Sequence, residues 1–209
     1  MFRGSKVLAW VAGATAMGFG LAHPAQAAGD PLVGEKKFYT CYGCHGVESY
    51  KNAYPDYSVP ALRHQNAAYI IAALHEYKNG DRPHPTMHAQ AASLSDQDIE
   101  DIAAYLQGDP VKPSSPNAAP PSQAAACGAC HGPNGTGVDA PLDPKPPILA
   151  GQHDDYLVEA LRAYKNKRRK NVVMNGMAAT LATDEDVRIV AEYFARQHSA
   201  LATATPESK

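Results

Sequence analysis

The sequence predicts a mainly α-helical protein of two tandem domains, and three observations carry this prediction. The chain has 209 residues, of which 44% are hydrophobic and 19% charged, as expected for one larger or two small globular domains. A five-residue motif with two cysteines occurs twice. After each copy, apolar residues recur at the spacing of an amphipathic helix, and the two sets are related by an offset of 87 residues.

Residues 1–27 have the pattern of a secretory signal peptide. Arg3 and Lys6 precede a long uncharged stretch, and Ala25-Gln26-Ala27 supplies the small residues that signal peptidase requires. We expect cleavage after residue 27 and a periplasmic protein. The alternative, a retained membrane anchor, is disfavoured because Gly and Ala dilute the apolar stretch.

The charge balance argues against nucleic-acid binding. The chain holds 19 Lys and Arg against 21 Asp and Glu, a net charge of −2, whereas binding to phosphate backbones relies on an excess of cations. Cleavage would remove Arg3 and Lys6 and leave −4. Outside the N-terminus, no apolar run approaches the roughly 20 residues that a membrane span needs.

The two cysteine motifs are Cys41-Tyr42-Gly43-Cys44-His45 and Cys127-Gly128-Ala129-Cys130-His131, and together they contain all four cysteines. C-x-x-C-H is the attachment signature of c-type haem. Two thiols at this spacing can each add to a vinyl group of one porphyrin, which places the adjacent histidine under the iron. We therefore predict two covalently bound haem c groups, attached through Cys41, Cys44, Cys127 and Cys130, with His45 and His131 as iron ligands.

Three other uses of paired cysteines compete with haem attachment: a zinc site, a thiol redox motif and structural disulfides. The two pairs lie 86 residues apart, far beyond zinc-ribbon spacing. A thiol redox motif does not require histidine after the second cysteine in both copies, and disulfides rarely close such a short loop twice. Haem attachment is favoured over all three.

Two helices are predicted in each half. Residues 69–78 and 156–165 match at the offset of 87, and their apolar side chains occupy one helical face. Further on, Ser95-x-x-Asp98 and Thr183-x-x-Asp186 form capping boxes ahead of apolar residues at i, i+3, i+4 and i+7. The repeat predicts that both domains use the same helices.

These repeats predict a first domain over residues 28–108 and a second over 123–209, joined by a Pro-rich linker over 109–122. Each half has only about 80 to 90 residues, a size at which an apolar core alone is marginal, so we expect each domain to wrap around its haem. The tail from His198 to Lys209 is rich in Ala, Thr, Pro and Glu and is expected to fray.

Met87 and Met174 are the predicted sixth ligands of the two irons. They are related by the offset of 87 and follow His45 and His131 by 42 and 43 residues. An isolated methionine would be interpreted as a core filler. Its repetition at the same place in two haem domains favours iron ligation instead, with His45/Met87 and His131/Met174 as axial pairs.

Other residues near these methionines compete for the same role. Met177 lies close to Met174, but its counterpart in the first half is Gln90, so the repeat favours Met174. His84 and His88 could offer bis-His ligation in the first half. Because the second half has no histidine near its methionine, these two are interpreted as solvent-facing or haem-edge residues.

His/Met ligation predicts an electron carrier. Thioether sulfur favours ferrous iron and raises the potential relative to bis-His ligation. Two protein ligands on each iron leave no position for a substrate, so we predict no catalytic residues and no enzyme activity.

Over essentially the whole mature chain, the sequence resembles the cytochrome c4 family of dihaem class I c-type cytochromes. The two C-x-x-C-H motifs, residues 147–152 and residues 174–181 carry the resemblance. It implies two cytochrome c domains facing one another, in the periplasm, with a quinol-oxidising complex as electron donor and a terminal oxidase as acceptor, often at the membrane surface. It also implies that the carbonyls of Pro60 and Pro147 accept hydrogen bonds from His45 and His131.

The two halves depart from one another in two places. Residues 34–38 look like the family's N-terminal helix, whereas Pro120 and Pro121 occupy the equivalent place in the second half, so the second domain is expected to lack that helix. Arg63-His64 stands where the second half has Ala150-Gly151. The surroundings of the two haems, and hence their potentials, are expected to differ.

One charge run and two rival functions complete the expectations. The run Lys165, Lys167, Arg168, Arg169, Lys170 is either a solvated face or a docking face for an acidic partner or anionic lipid headgroups. The first rival function is the haem subunit of a catalytic complex such as flavocytochrome sulfide dehydrogenase. The second, a dihaem peroxidase, is disfavoured because the chain is short and both halves offer methionine.

Overall fold

The computed structural model describes residues 29–53, 56–109, 114–138 and 145–206, together with Met1, Lys112 and Leu142. Its helices are α1 (Pro31–Lys37), α2 (Tyr42–His45), α3 (Ala67–Asn79), α4 (Pro85–Ala92), α5 (Asp96–Gln107), α6 (Gly128–His131), α7 (Asp154–Lys165), α8 (Val172–Ala179) and α9 (Asp184–Ala195). Short 3-10 helices, Phe38–Cys41 and Ser122–Cys127, lead into α2 and α6. The predicted signal peptide lies outside the described residues, among which no helix is long and apolar enough to cross a membrane.

The first domain is built on the crossing of α1 and α5. Asp30 caps α1 by accepting the N–H groups of Leu32 and Val33, and proline at the first helical position suits this start. Gly34 lies directly against the backbone of α5 at Asp101. The missing side chain allows the two helices to touch, which buries Phe38 beside them.

The capping boxes predicted for the last helix of each domain are confirmed. Ser95 and Asp98 exchange hydrogen bonds at the start of α5, and Thr183 and Asp186 do the same at the start of α9. The apolar positions that follow are buried against α3 in the first domain and against α7 in the second. The repeated sequence pattern therefore produces a repeated helical core.

The second domain begins differently, as the prolines predicted. In the described stretch 114–127 the chain forms only the 3-10 helix Ser122–Cys127, with no counterpart of α1. Proline lacks the N–H that a helix interior requires, so residues 120 and 121 end any helix there. Linker residues Ser114 and Asn117 instead donate backbone hydrogen bonds of 3.0 Å to Thr136 and Gln197 of the second domain.

The fraying predicted for the C-terminal tail is wrong for residues 201–206. The tail leaves the second domain and pairs with the first, where Ala202 and Arg63 exchange backbone hydrogen bonds of 2.9 and 3.2 Å. The N–H of Ala204 donates to the carbonyl of His45 at 3.0 Å, and Leu201 is buried. Composition could not show this, because the partner backbone comes from a segment more than 130 residues away.

Polar contacts also join the two domains directly. Asp155, at the start of α7, accepts hydrogen bonds from the N–H and hydroxyl of Ser58 at 3.0 and 2.9 Å and pairs with Lys51 at 3.1 Å. Lys170 pairs with Asp81 at 2.7 Å. The domains therefore meet over a surface that both α7 and the segment before α8 help to form.

Candidate haem-binding sites

The four cysteines occupy equivalent places in the two domains. Each 3-10 helix ends at the first cysteine of a motif, Cys41 or Cys127, and α2 or α6 carries the second. All four are free thiols. Burial raises the pKa of the thiols of Cys41 and Cys127, whereas thiol redox motifs depend on a lowered pKa. Their environment therefore favours haem attachment over thiol redox chemistry.

Both motif histidines are held by one ring nitrogen. Nδ1 of His45 lies 3.2 Å from the carbonyl oxygen of Pro60, and Nδ1 of His131 lies 2.9 Å from that of Pro147, as the resemblance implied. A carbonyl can only accept, so Nδ1 carries the proton and Nε2 keeps a free lone pair for a metal. Burial lowers the pKa of His45 to about 4 and also lowers that of His131, so both rings are neutral near pH 7.

The predicted methionine ligands occupy the same register position in two equivalent helices. Met87 is the third residue of α4 and Met174 the third residue of α8. The side chain before each helix, His84 Nδ1 or Asn171 Oδ1, accepts the N–H of the methionine at 3.3 or 2.9 Å. The local backbone at both methionines is thus built the same way, and ligation by their sulfurs stays a prediction.

His84 and His88 have structural partners that the sequence did not suggest. His84 caps α4, and Nδ1 of His88 bonds the carbonyl of Tyr77 at 2.8 Å. In the second domain the matching contacts are made by amides, since Asn171 caps α8 and Asn175 donates to Tyr164 at 2.7 Å. The repeated feature is a hydrogen bond rather than an imidazole, which argues against bis-His ligation.

A buried pair of arginines lies where the two domains meet. Arg82 is only 3% exposed, and its Nη2 donates to the hydroxyls of Tyr69 and Tyr156 at 3.0 and 2.7 Å. Its Nε and Nη1 find no hydrogen-bond partner among the described residues. Glu76 lies 3.7 Å from Nη1, which is an ion pair but too long for a hydrogen bond. The guanidinium of Arg169, also buried, stacks near Tyr156.

The buried positive charge of Arg82 and Arg169 favours the binding of an anionic group beside them. Burial raises the pKa of Tyr156, but the cations of Arg82 and Arg169 outweigh it and lower that pKa to about 8. Two neighbouring buried guanidiniums, one of which, Arg82, has two unsatisfied donors, are costly unless an anionic group meets them. Haem carries two carboxylates, so these residues, the paired thiols and the free Nε2 atoms of the motif histidines together fit a haem in each domain.

Sequence reasoning missed two pairs of residues in these sites. The first pair is Arg82 and Arg169, and the second is Gln65 and Gln152, whose side-chain amides bond the backbone of the opposite domain. Nothing in their local sequence points to a site, although both pairs obey the offset of 87. The signal that could have found them is therefore the repeat itself, applied to polar residues as it was to methionine.

Most of the basic run over residues 165–170 is engaged inside the molecule. Lys165 donates to the carbonyl of Leu181 at 2.6 Å, Arg168 pairs with Glu159, and Lys170 pairs with Asp81. Arg169 is buried, as described above. Within the part of the chain that the structure describes, only Lys167 of this run has no such partner, so the run presents little free charge to a docking partner.

Comparisons with known proteins agree with this architecture. The family described as Cytochrome c matches residues 33–108 and again 122–197. Cytochrome c4 from Pseudomonas aeruginosa is 32% identical, over 86% of this chain and 92% of that protein. A thiosulfate dehydrogenase electron acceptor from Stutzerimonas stutzeri is 34% identical, over 74% and 77%. The crystal structure of reduced cytochrome c4 from Pseudomonas stutzeri superposes with a TM-score of 0.63 at 30% identity, covering 82% of this chain and all of that one.

Proposed function

Because this chain belongs to the cytochrome c4 family of dihaem electron carriers, we propose that it carries electrons through the periplasm from a quinol-oxidising complex towards a terminal oxidase. When bound, each haem supplies a one-electron ferric/ferrous couple. The observation that supports a carrier is the same in both domains: a motif histidine held by a proline carbonyl, and a methionine at the third position of a capped helix. The proposal includes export by residues 1–27 and domains over 28–108 and 123–209.

The cysteines, the histidine and the methionine of each site have separate roles in binding the haem. The thiols of a motif would hold the porphyrin covalently, and the histidine would offer Nε2 to the iron because its Nδ1 is held by the proline carbonyl. The methionine, whose N–H is capped at the start of α4 or α8, would offer its sulfur as the second protein ligand of the iron. If a histidine and a methionine both bind each iron, no position would remain open for a substrate, which favours electron transfer over catalysis.

A second candidate function follows from the thiosulfate dehydrogenase electron acceptor among the relatives. On this alternative, the chain would receive electrons from an enzyme that acts on a sulfur compound, as would a haem subunit of a sulfide-oxidising flavocytochrome. Anaerobic stopped-flow mixing of the oxidised protein separates the two. Fast reduction by a quinol-oxidising complex supports our proposal, and fast reduction only by thiosulfate with its dehydrogenase supports the alternative.

The axial assignment is tested by carbon monoxide, which binds ferrous haem only where a position is open. We expect no change in the spectrum of the dithionite-reduced protein and one carbon monoxide bound per chain in either Met87→Ala or Met174→Ala. Met177→Ala is the matched control and should bind none. Binding to the unaltered protein, or to the control alone, would contradict the proposed ligands.

A further inference from the structure

We propose that Gln65 and Gln152 couple the axial histidine of each domain to the opposite domain through a single peptide group. The proposal rests on the histidine ligation proposed above and extends it to the domain interface. Both glutamines are buried at that interface, Gln65 with 2% and Gln152 with 5% of its surface exposed. The side-chain amide of each bonds the backbone of the other domain.

We use relay for the chain of hydrogen bonds from a glutamine, through one peptide group, to an axial histidine. The first relay runs from Gln152 in the second domain to His45 in the first. Oε1 of Gln152 accepts the N–H of Ala61 at 3.0 Å, and Nε2 of Gln152 donates to the carbonyl of Ala61 at 3.0 Å. The N–H of Ala61 and the carbonyl of Pro60 belong to one peptide group. That carbonyl accepts the proton on Nδ1 of His45. A single peptide group, that between Pro60 and Ala61, therefore connects the side chain of Gln152 to the imidazole of the other domain.

The second relay repeats the first in the opposite direction. Oε1 of Gln65 accepts the N–H of Ile148 at 2.8 Å, and Nε2 donates to the carbonyl of the same residue at 3.0 Å. The peptide group of that N–H includes the carbonyl of Pro147, which accepts from His131 at 2.9 Å. Each domain thus holds the ligand peptide of its neighbour.

The orientation of both amides is determined by their surroundings. Besides the N–H from the other domain, Oε1 of Gln152 accepts the N–H of His153 at 3.1 Å, and Oε1 of Gln65 accepts the N–H of Asn66 at 3.0 Å. Each Nε2 faces a carbonyl. A flipped amide would place its NH2 against the N–H groups, donor against donor, and its oxygen against the carbonyl, acceptor against acceptor. The oxygen must therefore face the relay peptide.

An acceptor on the N–H of a peptide increases the electron density on its carbonyl oxygen, because hydrogen bonds in a chain strengthen one another by about 10–30% per bond. A stronger acceptor for Nδ1–H makes the imidazole a better donor to iron, and hydrogen bonds of this kind tune metal ligands. Better donation stabilises the ferric state and lowers the potential. Removing the glutamine should therefore raise the potential of the haem in the opposite domain.

The test measures both reduction potentials of the full-length holoprotein by spectroelectrochemistry. In Gln152→Leu we expect the potential of the first domain to rise, with the ferrous-to-ferric ratio at a fixed applied potential increasing about threefold, which is about 28 mV for one electron. In Gln65→Leu the second domain should shift instead. Adding Met87→His, which lowers the potential of the first domain alone, assigns each value to its domain.

Two further variants separate the relay from simple loosening of the interface. Gln152→Glu restores the acceptor, since burial keeps its carboxyl protonated, and should return the potential to that of the unaltered protein. Asp155→Ala removes another contact of the same interface, at Ser58, without touching the relay peptide, and should leave both potentials in place.

Three results would overturn the relay: no shift in either leucine variant, a shift in the domain that carries the substitution, or an equal shift in Asp155→Ala. Intact low-spin spectra together with any of these would reject the relay and leave the axial ligands standing. If Met87→His failed to lower any potential, the axial assignment itself would be the part at fault.

Discussion

Gly34→Ala is expected to unfold the first domain at a temperature at which the second domain is still folded. A Cβ at this position would overlap the carbonyl oxygen of Asp101 in α5, lying 2.5 Å from its carbonyl carbon and 2.9 Å from Cβ of Tyr105. The overlap is with helix backbone, which cannot rotate away as a side chain can. The helices α1 and α5 would have to separate, and the packing around Phe38 would open.

The balance of two opposing effects gives the direction and size of this change. Alanine is the better helix former by about 1 kcal/mol, which favours the variant. Overpacking of a close contact costs about 1–3 kcal/mol, and the overlap with helix backbone places this site at the upper end, which outweighs that gain. We therefore expect a net loss of about 2 kcal/mol in the free energy of unfolding, confined to the first domain.

Thermal unfolding of the holoprotein, followed by circular dichroism, tests this expectation. Gly176→Ala in α8 is the matched control, because nothing lies within 4 Å of the Cβ it would add. That variant should be as stable as the unaltered protein or slightly more so. If both alanine variants unfolded alike, the close approach of α1 and α5 would not be what holds the first domain together.

Deletion of residues 200–209 is expected to destabilise the first domain, although the deleted segment follows the second in the chain. It removes the burial of Leu201, worth about 1.5–3 kcal/mol, and the backbone hydrogen bonds from Ala202 and Ala204, worth about 0.5–1.5 kcal/mol each. A loss of about 3 kcal/mol follows. The amides of Leu62 and Arg63, which donate to Ala202, should lose protection from hydrogen exchange.

The control for this experiment is a deletion of residues 207–209 only, which keeps every contact just described. It should leave exchange at Leu62 and Arg63 unchanged. If the longer deletion accelerated exchange only in the second domain, or nowhere, the contacts of the tail would not stabilise the first domain.

The C-terminal tail over residues 201–206 and the relay from Gln152 contact the same short segment of the first domain. Gln152 holds Ala61, the tail holds Leu62 and Arg63, and Ala204 holds the carbonyl of His45. The segment that orients the first axial histidine is therefore held largely by the second half of the chain. In return, the first domain holds the segment before the second site through Gln65 at Ile148 and Asn66 at Pro146. Among the described residues no tail crosses to that segment as residues 201–206 cross to the first domain, so the second site is expected to depend less on its neighbour.

Several features of the fold could be predicted because they depend on residues close together in the chain. The haem attachment motif is five consecutive residues, each capping box spans four, and helical periodicity needs about ten. The absence of a counterpart of α1 in the described stretch 114–127 followed from two prolines. The axial methionines belong to the same class of inference, since the repeat places both at one register position, and carbon monoxide will test them.

The tertiary structure alone decided what lies between the domains. A buried Gln65, an orphaned Arg82 and a paired Ala202 cannot be told from exposed residues by local sequence, because their partners lie far away in the chain. The basic run shows the same limit, since its sequence suggested a solvated or docking face. In the folded protein, two of its cations form ion pairs, Lys165 bonds carbonyl groups and Arg169 is buried. Sequence spacing determines the haem attachment motif and the helices, because both depend on residues close together in the chain. The role of a polar side chain depends instead on which distant backbone group or charge the packing brings against it.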